Sequence, residues 1–233
     1  MGADIARALA SAGMAVAVND LTPAPGALAV VDDIRAAGGV AELFPADVTS
    51  EVAVRELATE VERRLGPVDV LVVNATGPQP TILVEDLTWQ DQLDQLLFFV
   101  KSPTLLVQAV LAGMKARGGG RIINIGSDLF ERAAPGLSAY SAAKGAQLGL
   151  TRTWARELGS YGITVNLVAP GWIPVERHAD TPPDVRQAYI DEIALRRFGR
   201  PADVAAAVVF LASAQAAFIT GERIAVNGGH TLA

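Results

Sequence analysis

The sequence predicts a doubly wound α/β fold, a parallel sheet covered by helices on both faces. Short apolar runs alternate with amphipathic stretches along the whole length. The chain is rich in Ala, Val and Leu, as strands buried on both sides require. No linker, repeat or low-complexity tract interrupts the alternation in 233 residues, a length one core can serve, so residues 1–233 read as a single domain.

The expected strands are the apolar runs Met14–Val18, Val40–Phe44, Val68–Val73, Arg121–Ile125, Ile163–Val168 and Arg223–Val226. The expected helices lie between them, at about Gly2–Ala12, Ala27–Ala37, Glu51–Leu65, Thr88–Arg117, Ser138–Gly159, Asp184–Leu195 and Ala202–Ala212. Pro103 lies inside the fourth helix and predicts a kink or break there. Gly118-Gly119-Gly120 precedes a strand instead of following one, so it reads as a tight turn and not a phosphate loop. The longest candidate for a membrane span, Val204 to Ile219, is Ala-rich, contains Ser213 and Gln215, and falls short of the roughly 20 residues a bilayer needs; it reads as a buried helix. Gly171 to Pro183 carries no strong pattern and is restricted by Pro174, Pro182 and Pro183, which suggests a lid over a binding site, about residues 171–197.

A net charge of −6 and a pI near 5.0 argue against nucleic-acid binding, and Arg196, Arg197 and Arg200 read as a solvated loop. The absence of cysteine excludes a disulfide framework and a thiolate metal site and suits a reducing, cytoplasmic location. Asp4 and Arg7 break up the amino end before any signal-peptide apolar region forms. Glu176 and His178 are too few for a metal site.

The chemistry concentrates in Tyr140-Ser141-Ala142-Ala143-Lys144, with Ser127 thirteen residues upstream at the end of an apolar run. On a helix, positions i and i+4 share a face, so phenol and ammonium point into one cleft, where the cation favours phenolate. A phenol shifted down from about 10 can exchange a proton with an alcohol or carbonyl oxygen near neutral pH. Ser127 can hold that oxygen by a hydrogen bond. A serine hydrolase using Ser127 with His178 or His230 is disfavoured, because Gly126-Ser127-Asp128-Leu129 lacks the second glycine of a nucleophile elbow.

Ser127, Tyr140 and Lys144 match, one by one, the Ser, Tyr and Lys of the short-chain dehydrogenase/reductase family, which this chain resembles over nearly its whole length. Further matches are Asp47-Val48, Asn74-Ala75, Asn166, Pro170-Gly171, Thr220-Gly221 and Asn227-Gly228-Gly229. The resemblance implies a Rossmann-like fold and hydride transfer between a nicotinamide dinucleotide and a secondary alcohol or ketone. In it Tyr140 is general acid/base, Ser127 polarises the substrate oxygen and Lys144 bonds the nicotinamide ribose. It also implies cofactor contacts at Gly2, Asp47, Val48, Asn74, Ala75, Tyr140, Lys144, Pro170, Gly171 and Ile173, and a homo-oligomer, tetramer or dimer, built through the two long helices.

Asp20, at the end of the first expected strand, could accept hydrogen bonds from the adenosine ribose hydroxyls and would repel a 2′-phosphate. No Arg or Lys between Asn19 and Val31 offsets that repulsion, so NAD is expected over NADP. The partners expected are this cofactor and a small alcohol or ketone, with no nucleic acid or membrane. Trp172, Ile173, Val175 and Leu195 suggest a partly apolar substrate pocket, with Glu176, His178 and Asp180 as polar options.

Three departures from the family pattern matter. Val73-Asn74-Ala75-Thr76 replaces the usual Asn-Asn-Ala-Gly, Val175 stands where a Thr often holds the carboxamide, and Phe99 stands where an Asn usually supports a water chain to the Lys. Phe99 is either a missing relay residue or core packing, and a catalytically silent or truncated dinucleotide-binding module is the alternative to an enzyme. Finally, Met1–Leu9 already reads as helix, with Gly2 matched to the third glycine of the family's Gly-rich turn. The expectation is a sheet lacking its first strand, the other possibility being direct pairing of the strands on either side.

Overall fold

The computed structural model describes residues 1–175 and 180–232, so Glu176 and His178 lie outside the described residues. The chain enters on α1 (Gly2–Ser11), whose Ile5, Ala6 and Leu9 are buried along one stripe. It continues through β1 (Val16–Asp20), α2 (Pro25–Ala36), β2 (Ala41–Pro45), α3 (Glu51–Leu65) and β3 (Val70–Val73). Pro25 opens α2, where its missing N–H costs nothing. Ser50 caps α3 by accepting the Ala53 N–H.

α4 (Trp89–Leu96) begins with a capping box between Thr88 and Asp91. A π-helical turn, Leu97–Lys101, joins it to α5 (Ser102–Arg117). The irregularity expected at Pro103 therefore lies just before it. Proline has no N–H for the Phe99 carbonyl and crowds it, so the helix widens there and Ser102 N–H bonds Leu97 O instead. Gly118 ends α5 in the left-handed region at φ 68°, the tight turn expected of the three glycines. β4 (Gly120–Ile125), α6 (Leu129–Arg132), α7 (Ser138–Leu158), β5 (Ile163–Pro170), α8 (Pro183–Glu192), α9 (Pro201–Ala212) and β6 (Arg223–Val226) complete the order. The short α6 was not foreseen. β1 starts two residues later than expected and reaches Asp20, and β5 runs two residues further, to Pro170.

All strand pairs are parallel, but they form two sheets: β1-β2, and β3-β4-β5-β6. β1 does not pair with β3, so direct closure across the expected gap does not occur. Helices hold the sheets side by side. On one face, Ile5 and Leu9 of α1 share a core with Val16 of β1, Ile123 and Ile125 of β4, and Val204 and Val208 of α9. On the other, α3 packs on β1, β2 and α5, and α5 packs on β3 and β4. There Val107, Val110 and Met114 of α5 meet Ile122 and Val165.

The stretch Val204 to Ile219 comprises α9 and a short 3₁₀ turn, with Val204, Val208 and Leu211 fully buried. The longer apolar helix is Trp89–Arg117, 29 residues and long and apolar enough to cross a membrane by length and composition. Its packing on α3, α7, β3 and β4 is that of a helix laid against a sheet.

Candidate active site

β4 ends at Ile125 and the chain turns at Gly126, where a Cβ would lie 2.4 Å from Leu167 Cδ2. Only glycine fits that approach. The turn brings Ser127 to the carboxyl end of the strand, where its Oγ accepts the Leu129 N–H at 3.1 Å.

Opposite, α7 presents Tyr140 and Lys144 one turn apart, both buried. Lys144 Nζ donates to Ile125 O at 2.7 Å and to Gln147 Oε1 at 3.1 Å. The lysine thus ties α7 to the strand end that carries Ser127. Phe99, in the π turn and 2% exposed, lies beneath both residues. Its ring meets Tyr140 edge to face at 5.4 Å, and its face lies 3.8 Å from Lys144 Nζ.

Burial lowers the Lys144 pKa to about 7. Near neutral pH the group is therefore divided between ammonium and amine. That modifies the expectation of a permanent cation beside the phenol, since desolvation acts on the lysine itself. Phe99 contributes no side-chain acceptor for a water chain. It offers the ammonium a π face, a contact type worth about 2 kcal/mol or more when desolvated.

Gly2, Asp20, Val48, Asn74 and Ala75 all line one cavity of about 740 Å³. Asp20 ends β1 with its carboxylate accepting the Leu21 N–H at 2.7 Å. A Cβ on Gly2 would lie 2.6 Å from Asn74 Nδ2, which places the start of α1 beside the Asn74 side chain. In the altered Val73-Asn74-Ala75-Thr76 segment, the following Gly77 is required by Phe98, whose ring lies 2.2 Å from where its Cβ would be.

The side chains of two further expected cofactor residues are engaged within the protein. Asp47 does not line this cavity; its carboxylate accepts from Thr49 Oγ1 at 2.6 Å and Thr49 N at 2.8 Å, which holds its pKa below the usual range. The Ile173 side chain is 5% exposed and belongs to the core with Ile123 and Val168. Pro170 closes β5, its carbonyl accepting the Asp128 N–H at 3.0 Å. Gly171 follows, and a Cβ there would lie 2.8 Å from Tyr189 Oη.

The segment expected as a lid carries α8 and an aromatic cluster. Tyr189 Oη accepts the Trp172 N–H at 2.6 Å, and the Tyr189 ring stacks on Phe198 at 5.4 Å. Trp172 therefore packs against neighbours, and Leu195 points largely to solvent at 63% exposure. Beneath the cluster, buried Asp128 lies 3.2 Å from Arg132 Nε and 3.6 Å from His230 Nδ1. His230 also meets Glu192 at 3.0 Å, so its neighbours are carboxylates.

Sequence reading missed Gln147, Asp128 and Tyr189. Gln147 had a signal, being three residues after Lys144 on the same helical face. Asp128 and Tyr189 had none, because α8 and the C-terminal segment bring them together from far apart in sequence.

Comparison with known proteins decides the family. A family model described as enoyl-(acyl carrier protein) reductase matches residues 1–231. The 3-oxoacyl-acyl-carrier-protein reductase FabG of Staphylococcus epidermidis is 39% identical over 231 residues, covering 98% of this chain and 93% of that protein. The chain belongs to the short-chain dehydrogenase/reductase family. Among solved members, gluconate 5-dehydrogenase of Burkholderia cenocepacia, in complex with NADP and tartrate, superposes with a TM-score of 0.91 at 32% identity, over 99% of this chain and 90% of that one. A doubly substituted short-chain dehydrogenase/reductase of Serratia marcescens gives 0.90 at 34% identity, over 99% and 93%. These matches establish the Rossmann-like α/β class of this short-chain dehydrogenase/reductase.

Proposed function

We propose that this chain transfers a hydride between a nicotinamide dinucleotide and a secondary alcohol or ketone. The observation that carries the proposal is the placement of Tyr140 and Lys144 together on α7, with Lys144 bound to the end of the strand that presents Ser127. When bound, the cofactor supplies or accepts the hydride. In the reducing direction Tyr140 gives its phenolic proton to the substrate oxygen, and in the oxidising direction it takes the proton from the hydroxyl. Ser127 holds the same oxygen by its hydroxyl. Lys144 orients the phenol's surroundings and titrates close to neutrality.

Gly2, Asp20, Val48, Asn74 and Ala75 fit the adenosine side of a dinucleotide, since they line one cavity at the carboxyl ends of the strands. Pro170 and Gly171 fit the nicotinamide side. Asp47 and Ile173 would contribute through backbone. Kinship favours NADP, which the gluconate 5-dehydrogenase relative holds. The expectation of NAD from Asp20 rests on charge alone, and the cofactor ratio tests it.

The relatives' names indicate two substrate classes, a 3-oxoacyl group on a carrier protein and a sugar acid. Both contain the carbonyl or hydroxyl carbon this chemistry needs. A cytoplasmic homo-oligomer assembled through Trp89–Arg117 and α7 belongs to the same reading, and Trp89 at 69% exposure and Leu93 at 41% suit such an interface. Residues 1–233 form one domain in this proposal.

The test is a panel of 3-oxoacyl thioesters, sugar acids and simple ketones, followed by absorbance of the reduced cofactor. Tyr140→Phe should remove nearly all turnover and leave dinucleotide affinity within a few fold. Turnover at the native level in that variant would refute the proton-transfer role. Dinucleotide binding without turnover in the native chain would support a silent module.

A further inference from the structure

Among the described residues Lys144 is buried beside no carboxylate, so uncharged groups must answer its charge. Nζ donates to the Ile125 carbonyl at 2.7 Å and to Gln147 Oε1 at 3.1 Å, and lies 3.8 Å from the Phe99 ring centroid. An ammonium has three N–H donors and a neutral amine has two. The two oxygens therefore serve both forms of the group, while the third proton, present only on the ammonium, is left to the π face.

The charged groups of the elements packed on α7 are engaged elsewhere. On α4, Asp91 accepts from Thr88 and Asp94 from Gln90. After β4, Asp128 lies against Arg132, and Glu131 of α6 against Arg223. Lys101 of the π turn is exposed, and β5 carries no charged residue. Arg152, Arg156 and Glu157 lie two turns or more along α7, and Tyr161 beyond its far end lies under Lys115. Tyr140 is the titratable side chain next to Nζ, its ring centroid 5.8 Å away.

Gln147 is 1% exposed. An amide at that depth costs stability unless it is bonded, and an apolar side chain of similar volume would fill the place without that cost. What the amide adds is an oxygen for Lys144. Its turn of the helix is fixed in addition by Thr151, whose Oγ1 donates to the Gln147 carbonyl at 2.9 Å and accepts from Asn124 Nδ2 of β4 at 2.9 Å. The lysine is thus moored to β4 twice, directly at Ile125 and by way of Gln147, Thr151 and Asn124.

We propose that Gln147 is a positioning residue of the hydride-transfer reaction, an uncharged acceptor that holds Lys144 against the end of β4 and governs how readily the lysine carries its charge beside Tyr140. The proposal rests on the oxidoreductase reading for its effect on turnover. Being neutral, the amide leaves Lys144 divided between its two forms near pH 7, where burial places it. A carboxylate there would fix the ammonium, and an apolar side chain would withdraw one acceptor and favour the amine.

The chain has three lysines, Lys101, Lys115 and Lys144. Labelled with carbon-13 at Cε they give three resonances; Lys101→Arg and Lys115→Arg assign two and leave Lys144 as the third, so its midpoint is read in the whole chain without substrate. Gln147→Glu should raise that midpoint by at least about one pH unit, and Gln147→Met, close in volume, should lower it by about as much. The pH at which kcat falls on the alkaline side should follow the midpoint in both variants, with KM within about threefold. Unchanged midpoints would overturn the proposal, as would a kcat profile that stays in place while the midpoint moves. If one variant unfolds, the other decides by the direction of its shift. Unfolding of both in urea-free buffer would make Gln147 a packing residue and overturn the proposal as well. A native chain that turns over no member of the substrate panel would defeat the oxidoreductase reading, while the Lys144 resonance would still decide whether Gln147 governs the lysine's charge.

Discussion

Replacing Phe99 by Asn would restore the residue type usual at this position in the family, and the structure predicts that it will unfold more than it repairs. Phe99 is 2% exposed and touches both Tyr140 and Lys144. Truncating a buried Phe costs about 3–5 kcal/mol, a figure that already includes much of the edge-to-face contact, itself worth about 0.5–1.5 kcal/mol. The new amide could accept from Lys144 and recover about 1.5–3 kcal/mol, but its NH₂ group would be buried without a partner at a cost of about 1–3 kcal/mol. The two roughly cancel. The net loss is therefore about 3–5 kcal/mol, a large part of the 5–15 kcal/mol a domain has available. Urea unfolding at pH 7 should show a lower midpoint with an unchanged slope, and Phe99→Leu should lose distinctly less. If Phe99→Asn stays within about 1 kcal/mol of the native chain and raises kcat, position 99 is a vacant relay site and the packing argument fails.

The Lys144 pKa of about 7, against about 10.5 when free, means that between these pH values the unfolded chain holds a proton the folded chain has released. Stability should therefore rise from pH 7 towards 10.5 by up to about 1.4 kcal/mol per pH unit, with no contribution to the slope below pH 7. Lys144→Met should remove that rise, read as the difference between the two proteins' unfolding free energies at pH 7 and pH 9; parallel curves would refute the shift. Asp20→Ala should move the ratio of kcat/KM for NADP over NAD upward, by about tenfold for 1.4 kcal/mol of relieved repulsion, and an unchanged ratio would remove Asp20 from cofactor selection. Hydrogen exchange should be faster in β1 and β2 than in β4 and β5, because a two-stranded sheet has fewer supporting pairs; equal rates would show that the helices alone equalise the sheets.

What was legible in the sequence is what local periodicity encodes. The Tyr140 and Lys144 pair follows from i, i+4 spacing, and the six strands follow from apolar runs, with boundaries displaced by two residues where Asp20 and Pro170 extend the ladder. Gly118 was legible because glycine after a helix favours a left-handed end. Pro103 announced a helix irregularity but not its place, since a proline disturbs the carbonyl four residues earlier. The lysine's lowered pKa was not legible, because it depends on how α7 sinks against the end of β4. Nor was the Phe99 face beneath Lys144, which needs both the π turn and the packing of that turn on α7. That the Asp47 carboxylate turns to Thr49 was legible only in part, from a hydroxyl two residues on that can reach it.

The divided sheet also divides the site. Ser127, Tyr140, Lys144 and Pro170 are all anchored to the four-stranded sheet, through β4, β5 and the helix bound to them. Asp20 and Val48 belong to the β1-β2 side, and Asn74 follows β3 of the other sheet. No ladder fixes the distance between Asp20 and Asn74; α1, α3, α5 and α9 do so by packing alone. Side-chain packing yields more readily than a hydrogen-bonded ladder, so the proton-transfer geometry is built on the firmer half and the adenosine contacts span the softer seam. In such an arrangement, loss of order at the seam weakens dinucleotide affinity first and leaves the relation of Tyr140 to Ser127 intact.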